Sequence, residues 1–333
     1  MKEKLLTIIV PVYNTEQYLR KCLDSLIVTE GLESLEVIIV IDGSPDNSLE
    51  IAQEYSKKYP SVFKVINKKN GGHGSCCNIG IEKSHGKYVR FLDSDDWLET
   101  DTLDYLLKKL ADCNADVIFT KSVKEIVYKN TVREYGVDFT STEDLIKLEN
   151  LDIPFSEKRP YFFSLSDCEY KRQLIVDSEI KFTEGASFDD TVLYLTPFLK
   201  TKTIQFIDKV LYHYLIGRPE QSISNYNASK HYQLVTEYIK CLDVCKDLES
   251  KTSALNLIYI LKFASWVIDR SYSSIFNCDA SVQKNLYDKL DATIRQSSIL
   301  SNANSKKRNI FKHLSFFWAK SLVILHNNIC VKK

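Results

Sequence analysis

The chain has 333 residues, 44% hydrophobic and 26% charged, and its 44 basic and 44 acidic side chains cancel; this is the composition of an ordinary globular protein of one large or two modest domains. No stretch approaches the roughly 18 uninterrupted apolar residues of a membrane span, and the apolar run at 5–10 is too short for a secretory signal and lacks a small-residue cleavage site. Nine cysteines, at 22, 76, 77, 113, 168, 241, 245, 278 and 330, include no Cys-x-x-Cys pair, which argues against a disulfide framework or structural zinc and for a reducing cytoplasm.

Residues 5–12, LLTIIVPV, predict a first strand, with Pro11 at its end where a missing N–H is tolerated. Asn14, with Gln17 three residues on, reads as a capping box for a helix carried by Tyr18, Leu19, Cys22, Leu23 and Leu26. The unbroken apolar run at 35–41 predicts a strand covered on both faces. Asp42-Gly43-Ser44-Pro45-Asp46-Asn47 is a turn into a helix that reaches about Tyr59. A third strand is expected at 62–66. The glycine-rich loop at 70–75 leads into a short helix through Ile79 and Ile81, where Cys76-Cys77 reads as small residues packing a helix start or as a redox pair. A fourth strand at 88–92 ends in Asp93-Ser94-Asp95-Asp96, and a helix over about 100–112 leads to a short strand at 117–120.

This βαβαβαβ order predicts an α/β fold, a mostly parallel sheet with helices on both faces. Residues 121–165 carry few signals. Strand-like runs return at 203–207 and 211–214, and the chain beyond 229 reads as helical in about four segments. The expected division is a domain at 1–225, with halves 1–120 and 121–225, and a helical region at 226–333.

Ligands of such sheets bind beyond the carboxyl ends of the strands. Those ends deliver Pro11, Tyr13, Asp42, the glycine loop and the acidic tip to one edge. Three carboxylates in four residues are costly at a strand end unless a cation neutralises them, and a hard divalent ion that also grips a diphosphate does this well. As an isolated tetrapeptide the tip is equally an ordinary surface loop. A Rossmann site needs Gly-x-Gly-x-x-Gly after the first strand, and a Walker loop needs Gly-Lys-Ser/Thr. Neither is present.

The segments Thr7-Ile8-Ile9-Val10-Pro11-Val12-Tyr13-Asn14, Asp42-Gly43-Ser44-Pro45-Asp46-Asn47-Ser48, Asn70-Gly71-Gly72, Asn78-Ile79-Gly80 and Asp93-Ser94-Asp95-Asp96, in this order, resemble the family 2 glycosyltransferases of GT-A fold. The likeness covers about the first 110 residues and resumes at Phe188-Asp189-Asp190 and at Tyr212-His213-Tyr214 to Arg218 and Ser222. It implies an inverting transfer from a nucleotide-diphosphate sugar to a saccharide acceptor, as in bacterial capsule, surface-polysaccharide or adhesin-glycan synthesis. Pro11 and Tyr13 would then border the base and ribose, and Asp42 would bind the base, uracil in a UDP-sugar. Asn70, Gly71, His73, Ser94 and Arg218 would line the nucleotide-sugar. Asp93 and Asp95 form the Asp-x-Asp motif, with Asp95 the direct ligand of Mn²⁺ or Mg²⁺. Asp190, beside Asp189, takes the place of the catalytic base that accepts the proton of the acceptor hydroxyl.

The sequence departs from the family pattern in three places. Ile41 stands where many relatives have a first Asp, Cys76-Cys77-Asn78 where they often have Ala-Arg-Asn, and Asp189 where Glu is more usual. His73 is either a phosphate contact that replaces the missing arginine or part of an exposed loop; Arg218 is open in the same way. Asp189 and Asp190 read as helix caps without the resemblance. Trp97 is an acceptor stack or a core residue. Two other functions remain open: a sugar-nucleotide-binding partner subunit without activity, and a metal-dependent phosphohydrolase.

The charge is unevenly placed. No Asp or Glu follows Asp291, while residues 292–333 hold eight Lys or Arg, leaving 36 basic against 44 acidic residues before them. This is a poor pattern for generic nucleic-acid binding and a reasonable one for touching an anionic surface with one end. Ile310, Phe311, Leu314, Phe317, Trp318 and Leu325 fall near one helical face. That face suits either a basic amphipathic helix at the cytoplasmic face of a membrane or packing on the domain or a partner subunit, a homo-oligomer included.

Overall fold

The computed structural model describes residues 3–126, 131–135, 145–148, 163–218, 221, 226–245, 248, 254–311 and 316–321. The chain divides into two compact units, one comprising Met1–Pro154 and Phe162–Gln221, the other Phe155–Tyr161 and Ser222–Lys333.

In the first unit the strands are β1 (Leu6–Val12), β2 (Leu35–Asp42), β3 (Phe63–Lys68), β4 (Tyr88–Phe91), β5 (Trp97–Leu98), β6 (Val117–Ile126), β7 (Thr131–Tyr135), β8 (Ile146–Lys147), β9 (Cys168–Lys171) and β10 (Thr203–Ile216). Between them run helices α1 (Glu16–Asp24), α2 (Ser48–Lys58), α3 (His73–Lys83), α4 (Thr100–Leu110), α5 (Arg172–Asp177) and α6 (Val192–Leu195). One mixed sheet runs in the order β3-β2-β1-β4-β9-β6-β10-β5, with β7 on β6 and β8 on β10. Every residue of β1 and β2 is buried, as expected of central strands covered on both faces. Leu6, Ile8, Val10, Leu19, Leu23, Val37, Ile39 and Leu103 share one core cluster.

The pairings β1–β2, β2–β3 and β1–β4 are parallel, as the sequence reading expects of these strands. The next strand departs from that reading. β9, from a stretch without a strand signal, inserts antiparallel between β4 and β6. The chain therefore leaves β1 toward β2 on one side and returns to β4 on the other. That reversal is a topological switch point, and it opens a crevice at the carboxyl ends of β1 and β4. The two runs expected near 203 and 211 are one strand, β10, whose pairing with β6 shifts register between Ile207 and Tyr212. Those shifts are bulges, which break the alternating pattern without ending the strand.

The capping box expected at Asn14 and Gln17 is not formed. Asn14 has φ 54° and lies outside α1, whose N-cap Thr15 makes no side-chain cap. The cap comes from the neighbouring turn: the Glu16 N–H donates to Asp46 Oδ2 (2.8 Å), and the Asn47 N–H donates to Glu16 Oε2 (2.8 Å). Each turn thus satisfies an orphan amide of the other's helix, which locks the loops after β1 and β2 together.

The second unit holds α7 (Ala228–Asp243), α8 (Ala254–Ile275), α9 (Ala280–Arg295), α10 (Ser298–Ser301), α11 (Lys306–Phe311) and a further helical turn at 316–321. Leu234, Val235, Ile239, Phe263, Val267, Leu290 and Ile294 are buried in it. The sequence reading counted fewer helices here because α10 and α11 are too short to show a helical period.

Candidate active site

The acidic tip follows β4 at the switch point. Asp93, Asp95 and Asp96 each place a carboxylate oxygen within 4.8 Å of the others. Asp96 is buried, and both its oxygens are taken: the Tyr212 hydroxyl donates to one (2.6 Å) and the Leu215 N–H to the other (2.8 Å). Burial first, then the charges of Asp95 and Asp93, push its carboxyl well above the usual range. Asp96 therefore ties the tip to β10. Asp95 is paired with the Arg218 guanidinium, yet burial and the neighbouring Asp93 still raise it. The tip holds more negative charge than the chain neutralises. Two incompletely matched carboxylates with hard oxygen donors fit a Mg²⁺- or Mn²⁺-sized ion, which takes one or two carboxylates and fills its shell from a substrate phosphate. Asp93 and Asp95 are the residues that would hold it. Ser94 faces the other way: its buried hydroxyl pairs with Thr15 Oγ1 (2.9 Å).

His73, the first residue of α3, joins this tip to a distant part of the chain. Its Nδ1 lies 2.9 Å from Asp189 Oδ2 and its Nε2 3.3 Å from Asp93 Oδ1. Burial opposes protonation of the ring, but the Cys77 sulfur and the carboxylates of Asp189 and Asp93 outweigh it and hold the imidazole well above its ordinary value.

The segment carrying Asp189 and Asp190 docks on α3 through backbone contacts that only small residues allow. The Gly185 N–H donates to Gly71 O (2.8 Å), and Asn78 bonds both the N–H and the carbonyl of Phe182. A Cβ on Gly74 would sit 2.5 Å from Thr183 O and 2.6 Å from Asp189 Oδ2. Phe188 takes a left-handed φ of 64°, a conformation that costs a bulky residue energy and is held by its surroundings. It turns the chain so that Asp189 and Asp190 follow at once. Asp190 accepts a hydrogen bond from the Tyr194 hydroxyl (3.0 Å). Burial, then the adjacent Asp189, push its carboxyl up to about 6.

At the β2 end, Asp42 organises the glycine loop. It is 3% exposed and accepts hydrogen bonds from Lys68, from the Gly71 N–H (2.9 Å) and from the Gly72 N–H (2.8 Å). Gly43, at φ 65°, leaves room for the Asn70 backbone, and Asn70 itself is exposed. Pro11 is buried within β1, whereas Tyr13 just beyond is 51% exposed. Tyr13 therefore offers an open ring at the crevice, while Pro11 shapes the strand beneath it.

Some contacts of this region join residues that the sequence does not pair. Arg90, in the middle of β4, forms a fully buried pair with Glu169 of β9, and its guanidinium lies 5.6 Å from the ring centre of Tyr212. Burial lowers Arg90 to about 10. Its partner, 79 positions away, carries no mark in the sequence. Trp97 stacks on His213 (5.1 Å between centroids, 16° between planes), with the Lys21 ammonium 3.0 Å from the indole centroid. Arg218 also lies over Tyr18, at 5.7 Å.

Residues 7–168 match the family model described as Glycosyl transferase family 2. The chain is 31% identical over 254 residues to the uncharacterized glycosyltransferase YibD of Escherichia coli (strain K12), covering 72% of this chain and 71% of that one. It is 33% identical over 220 residues to the glycosyltransferase GlyA of Streptococcus pneumoniae serotype 4, covering 64% of this chain and 31% of GlyA. It spans 62% of a further relative, from Bacillus subtilis. The crystal structure of residues 1–349 of TarS from S. aureus, in complex with UDP-GlcNAc, superposes with a TM-score of 0.65 at 22% identity, over 91% of this chain and 84% of that one. The architecture is thus GT-A-like: a mixed sheet with flanking helices, then a helical region.

Proposed function

We propose that this chain, which belongs to glycosyl transferase family 2, moves a sugar with inversion from a UDP-sugar to a saccharide acceptor. The acceptor is lipid-linked or part of a glycan, in the synthesis of a surface polysaccharide or a glycoprotein glycan. The observation that carries the reading is His73, hydrogen-bonded to Asp189 and within ion-pair distance (3.3 Å) of Asp93 in the acidic tip. Donor end and acceptor end meet at one imidazole.

Tyr13 offers its ring to the base. The Asp42 carboxylate has about four acceptor positions, three of them used, and the fourth suits a base N–H. A UDP-GlcNAc-binding protein of the same architecture supports a uridine donor. Asp93 and Asp95 would hold the divalent ion, which would supply Lewis-acid stabilisation of the leaving diphosphate. Arg218 and the protonated His73 supply further positive charge for that diphosphate. Asp190, at about 6, is ionised at neutral pH and takes the proton of the acceptor hydroxyl as the sugar is attacked from the face opposite the diphosphate. The eight described cysteines are all free and buried, which supports a reducing, cytoplasmic setting. No helix of the described residues is long and apolar enough to cross a membrane.

Thermal shift with a panel of UDP-sugars, and with UDP, GDP and CMP as controls, with and without Mn²⁺, tests the reading. A ligand of the native state raises stability as its concentration exceeds its Kd. A metal-dependent shift with UDP and one UDP-sugar is expected. Folded protein that shifts with no nucleotide would overturn the assignment, and metal-dependent release of free sugar without any acceptor requirement would make it a hydrolase.

A further inference from the structure

The last described turns of the helical unit divide their apolar side chains between two directions, where one face was expected. Phe311 and Phe316 are buried. Phe311 packs on Tyr272 (5.3 Å between centroids), and Phe316 on Phe276 (6.1 Å) and Tyr287 (5.7 Å). These contacts fix how the segment is turned. At about 100° per residue over 316–321, Phe316 and Ala319 share the inward side, and Phe317, Trp318 and Ser321 the outward side.

Phe317 is 70% exposed and Trp318 68%, the two most exposed large hydrophobics among the described residues. Ile310, on α11, is 58% exposed. Single exposed apolar residues are ordinary, but three within nine positions, two of them adjacent aromatics, are not. The stretch of chain that carries them is cationic. Lys306 is exposed and Lys320 half-buried, and residues 292–333 hold eight Lys or Arg and no Asp or Glu.

The chemistry selects the occupant. An isologous contact between two copies would set this acid-free stretch against itself. Tryptophan beside lysine matches a bilayer interface, where the indole sits at headgroup level and lysine meets anionic lipid. We propose that Ile310, Phe317 and Trp318, flanked by Lys306 and Lys320, dock the chain on the surface of an anionic lipid bilayer. The aromatic pair enters the headgroup boundary without spanning it. The proposal stands apart from the donor reading, because vesicle binding and nucleotide binding are measured separately.

The test is co-sedimentation of the full chain with vesicles of phosphatidylcholine alone or with phosphatidylglycerol. Binding to the anionic vesicles that weakens with salt is expected. Phe317→Ser with Trp318→Ser should weaken it by about tenfold or more. Lys306→Gln with Lys320→Gln should weaken it about 25-fold, since each lysine near an anionic leaflet strengthens binding roughly fivefold. All variants should keep the circular dichroism of the parent and its nucleotide-induced thermal shift. Brominated lipid should quench the parent's fluorescence, and Trp318→Phe should bind yet lose that quenching. Three results would overturn the proposal: no binding of the folded chain to anionic vesicles, binding unchanged in the double serine variant, or a vesicle-indifferent dimer that the serine variant turns into monomer.

Discussion

Two buried carboxylate sites lie at opposite ends of the same sheet. Near the start of β2, Glu36 is fully buried and receives the Thr7 hydroxyl (2.7 Å), the Lys64 ammonium, the His85 N–H (2.8 Å) and the His85 ring (3.0 Å). Burial alone would raise its pKa, but these partners outweigh burial and bring it below the usual value. Past the end of β4, Asp95 and Asp96 stay above theirs despite Arg218, Tyr212 and the Leu215 N–H. One end is matched by the chain itself; the other is left short of positive charge. The first arrangement stabilises a fold, and the second suits the divalent ion proposed for Asp93 and Asp95.

The largest expected effect lies beside the unmatched end. Asp190→Asn should lower kcat by about 10²–10⁴ while the UDP-dependent thermal shift persists, as steady-state kinetics and melting would show together. Asp93→Asn should abolish the metal-dependent part of that shift. In metal-free buffer the variant should lose clearly less stability than Glu36→Ala, because removing a charge that raises both Asp95 and Asp96 offsets the lost pairing with His73. An equal loss of metal-free stability would mean that the tip is as well matched as Glu36, and the contrast would fail. At the matched end, Glu36→Ala should cost about 2–4 kcal/mol by urea unfolding, since it strands buried partners, with kcat per folded molecule unchanged.

Acidity gives the smallest and most graded effects, and they differ in kind. Asp190 must be ionised to act as a base, so kcat should rise with pH through about 6 and level off above it. Glu36 has a folded pKa below its unfolded one. Its contribution to stability is complete above the unfolded value and fades as pH falls through the folded one. The stability difference between the parent and Glu36→Gln should therefore shrink on acidification below the ordinary glutamate range. A difference that stayed constant down to strong acid would show that Glu36 is not held ionised by its partners.

The acidic tip, the glycine loop and the first four strands were legible because their signals are local: an apolar run, then a turn, within about ten residues. The Arg90–Glu169 pair was not legible: Arg90 passed within the apolar run of β4, and nothing in the neighbourhood of Glu169 marks it. The same holds for Asp96. The sequence placed it in the acidic tip without a role, and only the Tyr212 hydroxyl and the Leu215 N–H, more than a hundred residues away, reveal it as a fastening. Ser94, grouped by sequence with the ligand contacts, turns toward Thr15 for a similar reason. In the tail, the helical period put Phe311, Phe317 and Trp318 near one face. The packing of Phe311 and Phe316 on Tyr272, Phe276 and Tyr287 set Phe317 and Trp318 outward.

By itself the sequence determined the succession of the first strands, their parallel character and the edge at which their loops emerge. Those follow from periodicity and turn residues, both properties of contiguous chain. Tertiary structure decided which carboxylates are spent on the fold and which remain short of a partner. It also decided that β9 would part β4 from β6, and that His73 would stand between Asp93 and Asp189. These depend on hydrogen bonds and packing between segments far apart in the chain, and such pairings are set only when the whole sheet closes on itself.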